Sequence, residues 1–557
     1  MSDDVYRIHP VYDYWQTGQS GARGSFNENW WEFYESDVTM GELALCVELV
    51  FGKDKVVRIG TKNVSVTDNS GKVYRFQALM TDQPELVNTY SIGEPASQAR
   101  SFTVQLPASL VDPMSLVAEG KMIAGIGEVS LQYDGGTYED RLVVMRGEMD
   151  TGITFGPLAG GIIECTITDP KEGVDITLPP YVIDTDRFSD LPTEAIGQRF
   201  PLVIPRFAYT PAQFVSGKAT GYQPYTLVCQ GHGTVNSVYV DGELKSSGDA
   251  VYGWTQYDRI DSKGVPYTSI RFTNAGTAFD FTEGVYVDVT GPDQEDSPLL
   301  QVKKILTAYS GMNQSGVNEW LFSKAESKIP YLNSRMCINA GGSSNTKALT
   351  FIEGEFLQSF PMISMVWSQG GYGPVVTDRT QVDKIVAYLT VGQAPLLSRA
   401  TIVQETPKTE LRNEFTIRYN YNAQDDVYES VAIRTSEGST LCQVSQQLVG
   451  YRPHDVIDST WITDDSTANY VLDWLVEHMS VPSYYVEYDA TPITFFKLSI
   501  GDNVRLTDSD FNWSEKVATV QTLTLGKGYC KIGLRVWVFL ETVSGAARSY
   551  NTSTQQI

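Results

Sequence analysis

Histidine is scarce in this chain: His9, His232, His454 and His478 are the only four in 557 residues. None belongs to an H-E-x-x-H motif, and no two have metal-ligand spacing. His232 stands between Gly231 and Gly233 and reads as a turn histidine. His478 ends a helical pattern, where a partial positive charge would suit the helix dipole. The six cysteines, Cys46, Cys165, Cys229, Cys337, Cys442 and Cys530, form no C-x-x-C pair, and their wide scatter reads as reduced, buried thiols. Gly18-Gln19-Ser20-Gly21-Ala22 fails as a nucleophile elbow at its last position. Gly52-Lys53, Gly71-Lys72, Gly120-Lys121, Gly217-Lys218 and Gly526-Lys527 all lack the following Ser or Thr of a P-loop. Gly125-Ile126-Gly127 lacks the third glycine of a dinucleotide fingerprint. Asp184-x-Asp186 and Asp508-x-Asp510-x-Asn512 fail as calcium loops, the second because Trp513 stands where glycine is needed. The expectation is no catalytic, cofactor-binding or metal-binding residue. A facing carboxylate pair is the one catalytic arrangement that 67 acidic residues keep open.

The elements that would position any site are mostly strands. VELVFG, VVRIGTKNVSVTD, KVYRFQAL, SFTVQL, EVSLQYDGGTYEDRLVVMRGEM and GIIECTITDP are apolar, β-branched or alternating, with turns at Asp68-Asn69-Ser70-Gly71 and Asp134-Gly135-Gly136. They predict a barrel or sandwich over 41–190. From Asp184 to Pro205 the chain reads as an ordered, extended joint, with Pro192, Pro201 and Gly197 setting its course. A second β domain is expected over 191–295, with Asp241-Gly242 as a turn. An α/β insert follows over 296–380. Its first helix has Ser297 as N-cap and Pro298 inside, its second begins near Val317, and its third is capped by Ser344. MISMVW and PVV flank the SQGGYG turn. Residues 381–543 return to β, with NEFTIRYNYN alternating and one helix capped by Asp465 or Ser466. Residues 1–40, with Trp30 and Trp31, read either as an arm that docks on a neighbour or as a segment packed on its own domain. Residues 544–557 read as a polar tail.

A net charge of −25 argues against broad contact with DNA or an anionic membrane. It suits solubility, and equally a passage through which a polyanion slides without sticking. The first residues, MSDDVYRIHPVYDYW, lack a basic and an apolar region, so no signal peptide is expected. No apolar run approaches the ~18 residues of a membrane span.

The order of several stretches resembles the central hub proteins of phage tail tips and baseplates, including the hubs of gene transfer agents. They are YEDRLVVMRGEM, FGPLAGGIIECTITDP, LPPYVIDTDRF, EAIGQRFPLVIP, VNSVYVDGEL, the helix pair from Ser297, WSQGGYGPVVTD, NEFTIRYNYN, STANYVLDWLVEHM and LSIGDNVRL. The resemblance covers roughly residues 40–540. It implies a mainly β chain, α+β overall, with two tube-like β-barrel or sandwich domains, an additional β unit and a helical insert. It also implies a homotrimer whose six β domains match a hexameric tail tube. The implied partners are a distal tail protein or tail-tube ring, tip or fibre proteins and the tape measure protein, with DNA passing through unbound. The implied place is the virion tail tip, after assembly in the host cytoplasm. Many larger hubs carry further modules. This chain ends soon after its last β region, so lytic or receptor-binding activity is expected from a separate protein. The alternatives are a virion-borne or secreted polysaccharide-degrading enzyme and a receptor-binding tail protein.

Overall fold

The computed structural model describes residues 44–537, except 52–54, 81–84, 97–99, 112–124, 150–153, 156–161, 170–175, 190, 216–224, 251, 273–283, 311, 313–315, 339–345, 369–370, 380–384, 394, 402, 492–493 and 527–528. The readings of 1–40 as an arm and 544–557 as a tail fall outside the described residues. The chain is mainly β, with several sheets and few helices.

The first β unit is built on Ala44–Phe51. This strand is buried along its whole length because it has cover on both faces. Leu45, Val47, Leu49 and Phe51 face the main core, while Ala44 and Cys46 pack under Val64, Val66 and Phe76. Ala44–Phe51 pairs with Lys55–Gly60 on one side and Gly125–Gln132 on the other, and the sheet continues through Leu142–Met149 and Ile162–Thr168 to Ser101–Pro107. The Val64–Thr67 and Val73–Ala78 hairpin closes at Asp68, whose Oδ1 accepts from the backbone N–H groups of Ser70 and Lys72.

The stretch from 181 to 200 is ordered, but it is not extended. It doubles back so that its ends pair: Ile183 N–H donates to Gln198 O at 2.7 Å and Phe200 N–H to Tyr181 O at 3.0 Å. Gly197, at φ +88°, allows the reversal. Ile183, Phe188 and Phe200 then share a small core with Val215, Leu227 and Tyr267. The proline constraints on Leu191 and Phe200 are local, and burial of these side chains decides the path.

The strands that follow form two four-stranded sheets facing each other across Val228, Val238, Ile270, Phe272, Val287 and Val289. Gly291 seals this unit against Leu202–Ile204, since a Cβ there would sit 2.0 Å from Val203 O. Gly291→Ala is expected to cost about 1–3 kcal/mol through forced backbone shift. Urea or thermal unfolding would register it, and an unchanged midpoint would refute the close approach.

Helices Pro298–Lys304 and Glu319–Lys328 share one core with Ala348–Phe351, the Ile363–Ser368/Gly371–Val376 hairpin, Phe415–Asn422 and Asp465–Met479. Ser297 is the N-cap with Pro298 inside, as expected, although its side chain makes no cap hydrogen bond. The third helix starts at Ala348 with Lys347 at its N-cap, and Ser344 lies outside the described residues. The helix of the last region is capped one residue earlier than expected, by Asp464, whose Oδ1 accepts from Thr467 N–H at 2.8 Å. A further helix, Thr440–Val449, has no counterpart in the sequence reading.

The last β unit runs Ile385–Thr390, Asn503–Asp508, Trp513–Gly526, Tyr529–Trp537, Tyr484–Ala490 and Leu396–Arg399 in spatial order. Its inner face buries Val486, Tyr488, Val504, Leu506, Val520, Leu534 and Val536.

Candidate functional site

The main structural event is the joining of the first and last β units. Leu86–Thr89, from the first, pairs antiparallel with Thr522–Leu525 of the last, extending the latter's sheet by one strand. Thr89 and Thr522 hydroxyls lie 3.0 Å apart across this seam. One hydrophobic core runs through both units, from Leu45 and Val129 to Val520 and Val536. Tyr90 then reaches Thr377 (O···O 2.8 Å), whose carbonyl accepts from Trp474 Nε1–H at 2.6 Å.

A buried ion pair holds the seam. Arg100 donates from Nε and Nη2 to the two oxygens of Asp169, both at 2.9 Å, and from Nη1 to Asn88 Oδ1 at 3.1 Å. Its Nη2 also donates to Ser368 O at 3.0 Å, in the central hairpin. Met365 N–H donates to Pro95 O at 2.8 Å beside it. The guanidinium fork thus reaches a strand end, the crossing strand and the hairpin at once.

A second charged row crosses the first β unit. Glu48 lies directly opposite Arg58 on one neighbour and Glu128 on the other, and Glu128 lies opposite Arg146. Arg58 Nε donates to Glu48 at 2.5 Å. Arg141 Nε and Arg146 Nε donate to Glu128 at 2.5 and 2.8 Å. Burial raises the Glu48 carboxyl, and Arg58 offsets only part of that. Burial also pushes Glu128 up, but Arg146 and Arg141 together outweigh it and leave the group below the usual glutamate range. These are paired carboxylates, yet both are buried and tied to arginines, so they do not face each other across a cleft.

His9 is outside the described residues, His232 is exposed, and His454 is half-buried beside Phe415. His478 is buried, stacked on Trp474 at 4.2 Å and edge-on to Trp537. Burial and the neighbouring Arg379 lower its pKa to about 3. It is therefore a neutral imidazole, donating from Nδ1 to Trp474 O at 2.8 Å and accepting at Nε2 from Arg379 N–H at 3.4 Å. The expected role as a cation on the helix dipole is corrected: the site is too dry for the charge. Asp508 is held by Arg399 Nη2, at 2.8 and 3.0 Å, and by Tyr488 O–H at 2.9 Å. A guanidinium fills the place a calcium ion would need. Asp184 and Asp186 are likewise faced by Lys263 at 3.2 and 3.6 Å. Among the described residues, no three His, Cys, Asp or Glu side chains gather as a metal site.

All six cysteines are buried with free thiols. Burial pushes Cys165, Cys229, Cys337 and Cys530 up to about 12 and Cys46 higher still. The folded protein is expected to resist thiol reagents at pH 8, with all six labelled in guanidinium. Rapid labelling of any one in the native state would contradict this.

The fold and this seam define a mainly β protein in which one strand of the first β region enters the sheet of the last and the two β units share a single core. No family model matches the sequence, and no curated protein matches it. Among solved structures, it is similar to the 43 kDa tail protein of prophage MuSo2 from Shewanella oneidensis. The identity is 10% and the TM-score 0.36, over 86% of this chain and 98% of that one. It is also similar to a tail protein from Neisseria meningitidis, with 10% identity and a TM-score of 0.34 over 89% and 96% of the two chains. A chain of a Francisella PdpA-VgrG complex gives 6% identity and a TM-score of 0.32, over 94% of this chain and 55% of that one. The structural neighbours are thus tail proteins, one of them from a prophage, and a chain of a VgrG complex. At these identities and scores they carry no argument of their own about function.

Proposed function

We propose that this chain is a structural hub subunit of a phage tail tip or baseplate, acting by assembly rather than catalysis. The observation that carries the reading is the fusion of the first and last β units through Leu86–Thr89 and Thr522–Leu525 over one shared core. Two β units fixed side by side in one subunit become six when three subunits close a ring. Such a ring can meet a hexameric tail tube without a mismatch. The first β region and 381–543 are the proposed tube-like domains, with 191–295 and the insert at 296–380 set between them in the chain. The proposed partners are a distal tail protein or tube ring on one side, tip or fibre proteins on the other and the tape measure protein within. The charge of −25 suits a lumen that DNA crosses without binding.

Electron microscopy of the purified protein, with and without tube rings, tests this reading. Three-fold particles with six peripheral lobes are expected. Single subunits that never join a tube ring would overturn it.

A further inference from the structure

We propose that a polar groove beside the seam binds a neutral, polyhydroxylated ligand, a short saccharide. The groove is open to solvent and has a volume of about 380 Å³, within the size of small-ligand sites. Its floor is laid by neighbouring strands: Gln404 stands opposite Tyr485, Tyr485 opposite Arg535, and Thr522 opposite Thr89. Tyr485 lies over Gly533, where a Cβ would meet its hydroxyl oxygen at 2.3 Å, and so reaches Thr522.

The chemistry of the lining selects the ligand. Arg535 gives its hydrogen bonds to neutral groups, Gln521 Oε1 at 3.0 Å, Ser483 Oγ at 3.3 Å and Thr406 Oγ1 at 3.4 Å. Glu405 and Glu410 line the same groove and are exposed. An anion would meet these two carboxylates, and a cation would meet Arg535. An apolar molecule would strip water from all of them and return no hydrogen bond. A hydroxyl both donates and accepts. Adjacent hydroxyls of a sugar ring can donate to a carboxylate while accepting from a guanidinium or amide. Thr89, Tyr90 and Ser91 come from the first β region and the other lining residues from the last, so a bound sugar would bridge the seam. This inference does not depend on the hub reading.

The test titrates the full chain with maltotriose and chitotriose as neutral probes, and with sialyllactose and inorganic phosphate as anionic ones. Calorimetry and saturation-transfer NMR give the readout. At least one neutral trisaccharide should bind at millimolar concentration or below. Gln404→Ala and Glu410→Ala alter exposed positions and leave the core intact. Each should weaken binding about tenfold. Three outcomes would overturn the proposal: no neutral sugar bound at millimolar concentration, binding of the anions alone, or sugar affinity unchanged in both variants.

Discussion

Arg100→Ala will destabilise the protein by about 3–5 kcal/mol, the usual cost of leaving one partner of a buried ion pair behind. Arg100 is 7% and Asp169 3% exposed, so water cannot replace the lost guanidinium. Removing it strands Asp169 and also leaves Asn88 Oδ1 and Ser368 O without this donor. Asn88 belongs to the strand that enters the last β unit's sheet, so the damage is aimed at the seam. The first unfolding transition in calorimetry should move down in temperature. Arg100→Met combined with Asp169→Leu should recover much of the loss, because the double replacement strands no charge. Single and double variants that melt together with the wild type would show that the pair does not hold the seam.

Glu128→Gln and Glu48→Gln will respond to pH in opposite directions. Glu128 is 1% exposed and faces Arg141 and Arg146. At neutral pH its replacement should cost about 3–5 kcal/mol, because Arg141 is left buried and uncompensated. The folded carboxyl lies below its ordinary value of 4.5. Its stabilisation is therefore present above pH 4.5 and is lost as pH falls through the lowered folded pKa. The deficit of Glu128→Gln should fade in acid. Glu48 has the opposite sign. Its folded pKa is raised above 4.5, so its stabilisation is full below pH 4.5 and is lost as pH rises through the folded value. The deficit of Glu48→Gln should shrink as pH climbs from 4 towards 7. Unfolding midpoints of the three proteins between pH 3 and 8 will check both. Parallel curves would mean that the two carboxylates do not divide the charge as their arginines suggest.

The local pattern of strands was legible because cores are written in alternation. In Phe415–Asn422, Phe415, Ile417 and Tyr419 are fully buried while Arg418 is exposed. The turns at Asp68 and Asp241 were legible for a similar reason, since their residues favour the backbone the turn requires. Helix Thr440–Val449 escaped notice because the residues it buries include Cys442 and Ser445, too small and polar to make an apolar stripe. Its cap was there to be read: Ser439 Oγ accepts from Cys442 N–H at 3.3 Å, and Gly450 ends it at φ +79°.

The seam was not legible at all. Thr89 and Thr522 are 433 residues apart, and nothing local in LVNT marks it as a strand of the last sheet. His478 was misread for the same reason: its charge is decided by Trp474, Trp537 and Arg379, and only the first is near it in sequence. The buried charges did leave a trace. Glu48 interrupts the apolar run ALCVELVF and Glu128 precedes VSLQ, and a carboxylate inside a buried strand requires a partner.

The most direct test of the hub reading is the solution mass of the intact chain. It would be measured by light scattering across a range of concentrations, alone and with purified tail-tube rings. The account predicts a three-chain species, present from the start or formed when the ring is added. A chain that stays single at every concentration and never joins a ring would contradict it.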